Sequence, residues 1–251
     1  MGDSRFDAAE GQAGLEEHYA RWFAQASSDF RATSLNQLIV GLTPPGRILD
    51  IGCGSGVLSA ELIAGGRDVT SQDLSEPMVE MCARLLRDRG LPADQVRLGG
   101  VEEITERAHF DAVIALDVIE HIEDDLGALK RMREAMTPDG TLIVSVPALS
   151  FLYGQKDVDV GHYRRYERDG LLDVVSRAGF RVTFYRWWNV LGIVPVWLSN
   201  LRGKRLNEEA RYGTSPAQRF INGGLRWWFQ TVENPMHPPV GMTLIVTATP
   251  R

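Results

Sequence analysis

The chain is short of the residues that build disulfide scaffolds, metal modules and nucleic-acid surfaces. Only two cysteines occur among 251 residues, Cys53 and Cys82. They form neither a disulfide framework nor zinc-ligand spacing, which fits a reducing, cytoplasmic setting. No cluster of ligand-type residues is read from the spacing, so no metal is expected. The formal charge is −6, and an acidic chain lacks the concentrated basic face that phosphate backbones require, so no nucleic-acid partner is expected. No charged start followed by an apolar run occurs at the N-terminus, so no secretory signal is read. What remains is an ordinary apolar share of 44%, enough for one α/β domain with a full core.

The stretch Arg47-Ile48-Leu49-Asp50-Ile51-Gly52-Cys53-Gly54-Ser55-Gly56 organises that domain. An apolar run enters three alternating glycines, and a helix-compatible Val57-Leu58-Ser59-Ala60-Glu61-Leu62 follows. Strand, tight turn and helix are predicted, with the helix N–H groups presented to a ligand at the turn. Position 57 is Val where the dinucleotide fingerprint has its third glycine, and no Gly-Lys-Ser/Thr closes the turn, which disfavours NAD and P-loop readings. Asp50, at the end of the strand, would repel phosphate but can accept hydrogen bonds or face a cation. Asp73 ends the next strand, where an acid is well placed for the two hydroxyls of a ribose.

The alternation continues. Strands are predicted at 47–51, 68–73, 95–98, 110–116 and 140–146, with helices at 57–65, 75–89 and 124–136. Thr137-Pro138-Asp139-Gly140 is read as the turn that stops the third of these helices. Unbroken apolar runs suit parallel strands covered on both faces, and crossover handedness favours a doubly wound sheet. A sixth strand is predicted at Phe180–Tyr185 and a closing one from Val240 to Ala248.

Three segments carry a family resemblance. They are Leu49 to Gly56, Asp73-Leu74-Ser75-Glu76-Pro77-Met78, and Phe110 to Ile122 with its Asp117-Val118-Ile119-Glu120-His121. In that order and spacing the chain resembles a class I S-adenosylmethionine-dependent methyltransferase, over roughly residues 45 to 150 with weaker support to about 185. The resemblance implies an α/β fold: a doubly wound, seven-stranded, mostly parallel Rossmann-like sheet with N-terminal helices and a helical insert before the last strand. It implies S-adenosyl-L-methionine as cofactor. Gly52, Gly54 and Gly56 would wrap the amino-acid part, with Asp50 and Cys53 in the same turn, and Asp73 would hold the ribose. Leu74 and Met78 would pack near the adenine, Glu102 or the backbone near Val101 would read its amino group, and Asp117 would border the methionine moiety.

On the substrate side the candidates are His162, Arg164, Tyr166 and Tyr19. Gly161-His162-Tyr163-Arg164-Arg165-Tyr166 follows the fifth strand and is similar to a run found in one branch of the family. Histidine there can accept a proton, arginine can fix an anion and tyrosine can line the site. The competing reading is an internal ion network, with Asp157 and Asp159 paired to Arg164 and Arg165. His121 is read either as a partner to the N-terminus of the helix after it or as a substrate contact. Tyr19 lies in helices predicted from Leu15 to about Leu42, where an aromatic can shield a sulfonium or simply pin the helix.

The organisation expected is an N-terminal helical cap at 1–43, the cofactor domain at 44–185 and 240–251, and an insert at 186–239. That insert holds Trp187, Trp188, Trp197, Trp227 and Trp228, five of the six tryptophans. Its apolar run from Asn189 to Leu198 is too short to span a bilayer. It is read as a lid over the site, a subunit interface of a homodimer, or a surface resting on a membrane. The function expected is methyl transfer to an O, N or C nucleophile of a small, partly apolar metabolite. A lipid-linked or glycan acceptor, and a non-catalytic cofactor-binding subunit, are the alternatives. No Asn-Pro-Pro-Tyr or Asp-Pro-Pro-Tyr follows the fourth strand, so methylation of a base amino group is disfavoured.

Overall fold

The computed structural model describes residues 30–202 and 216–251. Its centre is one seven-stranded sheet in the order β3-β2-β1-β4-β5-β7-β6. The strands are β1 (Arg47–Ile51), β2 (Asp68–Asp73), β3 (Val96–Leu98), β4 (Phe110–Leu116), β5 (Met136–Pro147), β6 (Phe180–Trp188) and β7 (Thr243–Pro250). Neighbours from β3 to β5 are parallel, while β7 runs antiparallel to both β5 and β6. The expected doubly wound, mostly parallel architecture is what the chain adopts.

The helices are α1 (Phe30–Leu42), α2 (Val57–Ala64), α3 (Glu76–Asp88), α4 (Asp125–Ala135), α5 (Gln155–Asp159), α6 (Arg168–Arg177), α7 (Ile193–Arg202) and α8 (Pro216–Trp228). Successive residues of one strand feed opposite cores, as the two-residue side-chain period requires. Leu49, Val113, Leu142 and Val144 pack with Leu129, Met132 and Leu171 from α4 and α6. Ile48, Ile114 and Ile143 pack on the other face with Ile39 and Leu62 from α1 and α2. Burial on both faces is why these strands read as continuous apolar runs.

Three boundaries differ from expectation. The segment Thr137–Gly140 is not a turn outside the sheet, because β5 starts at Met136, which pairs with Phe110 before the register shifts. β6 runs on to Trp188, so Trp187 and Trp188 belong to the sheet; the ring of Trp188 is fully buried against Phe229. Tryptophan's bulk suits a core position as well as a surface one, and its neighbours decide. β7 begins at Thr243, and at Gly241, just before it, an added Cβ would strike the Trp188 backbone. Tyr19, and the predicted helix from Leu15 up to residue 29, lie outside the described residues.

Between β6 and β7 come α7, α8 and a π-helical turn, Phe229–Glu233. The far end of this segment is keyed to the sheet by buried polar groups. Arg186 donates to the carbonyls of Glu233, Asn234 and Met236, and Trp188 Nε1 donates to Asn234 Oδ1 at 3.0 Å. Asn200 on α7 donates to the Leu152 carbonyl at 2.8 Å, which ties the helix to the loop after β5. Phe220, Ile221 and Trp227 on α8 face solvent. Among the described residues, no helix is long and apolar enough to cross a membrane.

Candidate functional site

The carboxyl ends of β3, β2, β1 and β4 lie side by side, and such edges are where ligands sit in open α/β sheets. The glycine turn leaves β1 with Gly52, Gly54 and Gly56 all at positive φ, 71°, 52° and 79°. A Cβ at Gly52 would run into the Val118 side chain, and one at Gly56 would come within 2.5 Å of Cys82 Sγ. Glycine is therefore required here by backbone conformation and by close approach together.

Beside the turn, Asp73 is anchored without being used up. Its Oδ2 accepts from the Gly54 N–H at 2.8 Å and its Oδ1 from the Ser75 N–H at 2.9 Å. Each carboxylate oxygen keeps a second lone pair, and the residue is half-buried. Ser75 occupies the N-cap position of α3, but its side chain makes no capping bond.

Other expected cofactor contacts sit deeper. Asp50 is buried and accepts from Ser59 Oγ at 2.6 Å, with Ser71 Oγ donating on to Ser59 at 2.9 Å. Burial pushes its carboxyl up to about 7, with the Ser59 hydrogen bond opposing and the Asp73 charge adding to it. Cys53, Met78 and Val101 are buried as well, while Leu74 and Leu98 are exposed apolar side chains at this point of the rim. Val101 and Glu102 form a one-turn helix with Glu103, whose carboxylate accepts from the Gly100 N–H at 2.7 Å, while exposed Glu102 faces Arg131 at 3.4 Å.

The tip of β4 is strained. Asp117 has φ 53°, a conformation that costs a non-glycine residue free energy and gathers at functional sites. Its side chain is accessible to solvent, yet surrounding protein pushes its carboxyl up, an effect that His162 opposes.

Behind Asp117 the chain brings together two segments about 41 residues apart. Tyr163 N–H donates to the Glu120 carbonyl at 2.8 Å, Arg164 donates to the Glu123 carbonyl at 2.8 Å, and Tyr166 OH donates to Asp125 Oδ2 at 2.7 Å. His121 is not the helix partner expected; Asp124 caps α4 by accepting from Gly127 N–H, and His121 lies edge-on to His162 with ring centroids 4.6 Å apart. The expected ion network forms only in part. Asp157 binds Arg165 at 2.8 Å and His162 Nδ1 at 2.9 Å, but Arg164 pairs with Asp125 instead, and Asp159 accepts from Gln155.

Tyr166 and Arg164 are thus engaged in bracing the loop on α4. Burial pushes the Tyr166 phenol up, and the Asp125 hydrogen bond adds to the rise. Burial also raises the Asp157 carboxyl, but hydrogen bonds from His162 and Arg165 outweigh it and hold it below the usual range.

Glu120 was not singled out from the sequence. It is fully buried, and among the described residues neither carboxylate oxygen has a hydrogen-bond partner. Burial drives its carboxyl well above the ordinary range, with Asp117's charge adding to the shift. The spacing gave no metal-type cluster, yet Glu120, His121 and His162 converge here. The signal was available in the topology: β4 and β5 are neighbours, so the loops that leave their carboxyl ends must meet.

A glycine turn and an anchored acid at adjacent strand ends, on a sheet of this order, define an α/β protein of the doubly wound class. Comparison with known proteins places it more closely. The chain belongs to the methyltransferase domain family, whose profile matches residues 18–184. Curated relatives include ubiquinone biosynthesis O-methyltransferases. That of Bradyrhizobium diazoefficiens is 39% identical over 99 residues, covering 39% of each chain. That of Xanthomonas campestris pv. campestris is 32% identical over 104 residues, covering 41% of this chain and 43% of the relative. The chain therefore matches only about two fifths of the length of these relatives.

Solved structures share the fold over nearly the whole chain. One is a SAM-dependent methyltransferase of Thermotoga maritima described as a possible histamine N-methyltransferase, with TM-score 0.59, 20% identity and coverage of 94% of this chain and 95% of that one. Another is the 1,6-didemethyltoxoflavin-N1-methyltransferase of Burkholderia thailandensis, with bound 1,6-didemethyltoxoflavin and S-adenosylhomocysteine, at TM-score 0.58, 20% identity and coverage of 99% and 93%.

Proposed function

We propose that the protein is a cytoplasmic S-adenosylmethionine-dependent methyltransferase acting on an O, N or C nucleophile of a small, partly apolar molecule. Asp73 carries the reading: its carboxylate is fixed by two backbone N–H groups and keeps lone pairs for a pair of vicinal hydroxyls. The three glycines hold their turn in a conformation no other residue adopts cheaply, and they face the amino-acid end of the cofactor. Leu74 lies against the adenine, and Asp117 borders the sulfonium end from the strained tip of β4. Asp50 and Cys53 support the turn from beneath, while Glu102 and the Val101 backbone stand on the adenine side.

When bound, S-adenosylmethionine supplies a methyl group on a positively charged sulfur. The chain's own contribution is to align the acceptor and to take charge of its proton, and alignment supplies much of the rate gain. The proton leaves at the cluster of His162, His121 and Glu120, while Tyr166 and Arg164 position the loop that carries His162. The helix α7, which follows β6, acts as a lid that keeps water out of the cofactor domain. Asn200's bond to the loop after β5 supports the lid role, because it couples α7 to the acceptor side.

A second reading draws on the exposed face of α8. Phe220, Ile221 and Trp227 stand in solvent, and apolar groups of that kind favour a lipid-linked acceptor reached at a membrane surface. Co-sedimentation of the purified chain with anionic vesicles would favour it, and a chain that stays in the supernatant would end it.

Titration calorimetry tests the main reading. S-adenosylhomocysteine is expected to bind and NAD is not. Asp73→Ala is expected to weaken the former by about 10- to 100-fold, since hydrogen bonds to a charged acceptor contribute about 1.5–3 kcal/mol. Tight NAD binding without a response to S-adenosylhomocysteine would overturn the assignment. Cofactor binding without methyl transfer to any acceptor in a metabolite extract would instead indicate a non-catalytic subunit.

A further inference from the structure

Glu120, His121 and His162 each offer one ligand atom, and these atoms lie within 4.8 Å of one another. Glu120 is the unusual member. A buried carboxylate is normally paired or hydrogen-bonded, yet both of its oxygens lie out of solvent with no such partner among the described residues. The nearest ion-pair contact is His162 Nε2, at 3.9 Å from Oε1. That is too far for a hydrogen bond, but it suits two ligands that share a third body between them.

His162 is also oriented for ligation. Its Nδ1 is taken by Asp157 Oδ1 at 2.9 Å, which fixes the tautomer and leaves Nε2 as a lone pair, the arrangement that carboxylates impose on metal-binding histidines. Asp157 is itself held by Arg165 at 2.8 Å and by the Gly154 N–H at 3.0 Å, so the orientation is rigid. His121 brings its ring edge-on beside that of His162, with ring centroids 4.6 Å apart.

We propose that Glu120, His121 and His162 form a binding site for one divalent transition-metal ion of the zinc or iron(II) type, with Asp157 as the positioning residue for His162. Two imidazoles and one carboxylate match those ions better than magnesium, which takes oxygen ligands. Bonds of about 2.1 Å at tetrahedral angles put ligand atoms about 3.4 Å apart, so the three close on an ion by side-chain movement of roughly an ångström. The ion offsets the crowded charges of Glu120 and Asp117 and keeps open positions for an oxygen donor. This deepens the methyl-transfer reading and rests on it for one step. An acceptor hydroxyl bound to the ion would be made acidic by it, so that with the ion in place the proton passes to water and the histidines of the cluster act as ligands instead of as the proton acceptor. The oxygen–methyl bond forms as the sulfur–methyl bond breaks.

The test uses the full chain stripped with a chelator and titrated with zinc by calorimetry and with cobalt(II) by visible absorption. One ion per chain is expected, with cobalt bands of mixed nitrogen and oxygen ligation. Glu120→Gln and His162→Gln are each expected to weaken binding by more than about 100-fold, beyond what loss of an outer partner costs. His121 is exposed, so His121→Gln provides a folded background in which the same loss is read. S-adenosylhomocysteine binding, measured on the same samples, separates the two ideas. Zinc binding without it leaves the metal site standing and removes the methyl-transfer reading. S-adenosylhomocysteine binding with no saturable zinc, or with zinc binding unchanged in all three variants, overturns the site.

Discussion

The two ends of the strand edge satisfy their polar groups in opposite ways. At the β1–β2 end, the turn and its acid are closed by near neighbours: Gly54 and Ser75 N–H groups on Asp73, Ser59 on Asp50. At the β4–β5 end, groups from separate loops interlock through Asp157, Asp125 and Arg165, and the Glu120 carboxylate is left without a hydrogen bond among the described residues. A self-contained end can hold one invariant ligand. An end assembled from two loops can vary with the acceptor, and it keeps charge in reserve for chemistry.

The largest expected effect breaks the second end while sparing the first. Asp157 and Arg165 have side chains only 2% and 6% exposed, and removing one partner of such a pair leaves a buried charge, at a cost of about 3–5 kcal/mol. Asp157→Asn should therefore lower stability by that amount in chemical denaturation and open residues 153–166 to proteolysis. S-adenosylhomocysteine affinity should stay near that of the wild type. Equal loss of cofactor affinity would mean that the two ends are one cooperative unit.

A smaller effect lies inside the first end and depends on pH. The folded Asp50 carboxyl titrates near about 7, against an ordinary 3.8. Because the folded value is raised, the favourable contribution is complete below the unfolded pKa and is lost as pH rises through the folded one. Between pH 5 and 8 that loss is about 2–3 kcal/mol, at about 1.4 kcal/mol per pH step below the folded pKa. Asp50→Asn keeps an oxygen for Ser59 and carries no charge. Its unfolding free energy should fall less steeply over this range, and it should exceed the wild type at pH 8. Parallel pH profiles for the two proteins would show that Asp50 stays ionised in the folded chain.

The same contrast explains what could be read from the sequence. β1, β2 and β4 fall at the expected residues, because each is an apolar run with a break at its end and is buried on both faces. Asp73 and the glycines were legible because they stand at the ends of two consecutive strands of one βαβ unit, whose alternation the sequence shows. Trp187 and Trp188 were misplaced because a core strand and an apolar insert present the same residues, and only pairing with β7 distinguishes them. Glu120 gave no signal, since an acid beside a histidine in a polar loop reads as solvated until the fold buries it. Arg164 and Tyr166 found Asp125, 41 positions away from the tyrosine, and no local pattern announces such a pairing.

The smallest expected effect asks whether the loop's tyrosine belongs to the chemistry or to the bracing. Tyr166 is 6% exposed, and its hydroxyl donates to Asp125 Oδ2 at 2.7 Å. Asp125 also holds Arg164 at 2.7 Å, so removing the hydroxyl does not leave the carboxylate alone. Tyr166→Phe keeps the ring in the core and deletes one hydrogen bond, for a loss of about 1 kcal/mol, toward the lower end for a charged acceptor because the arginine remains. With any acceptor that the wild type methylates, turnover should stay within about twofold, since about 0.4 kcal/mol is all that such a change represents. A fall of two decades in kcat with stability unchanged would return Tyr166 to the catalytic group. It would also mean that the loop opens in the working enzyme, because a hydroxyl bound to Asp125 in the closed arrangement has its proton already committed.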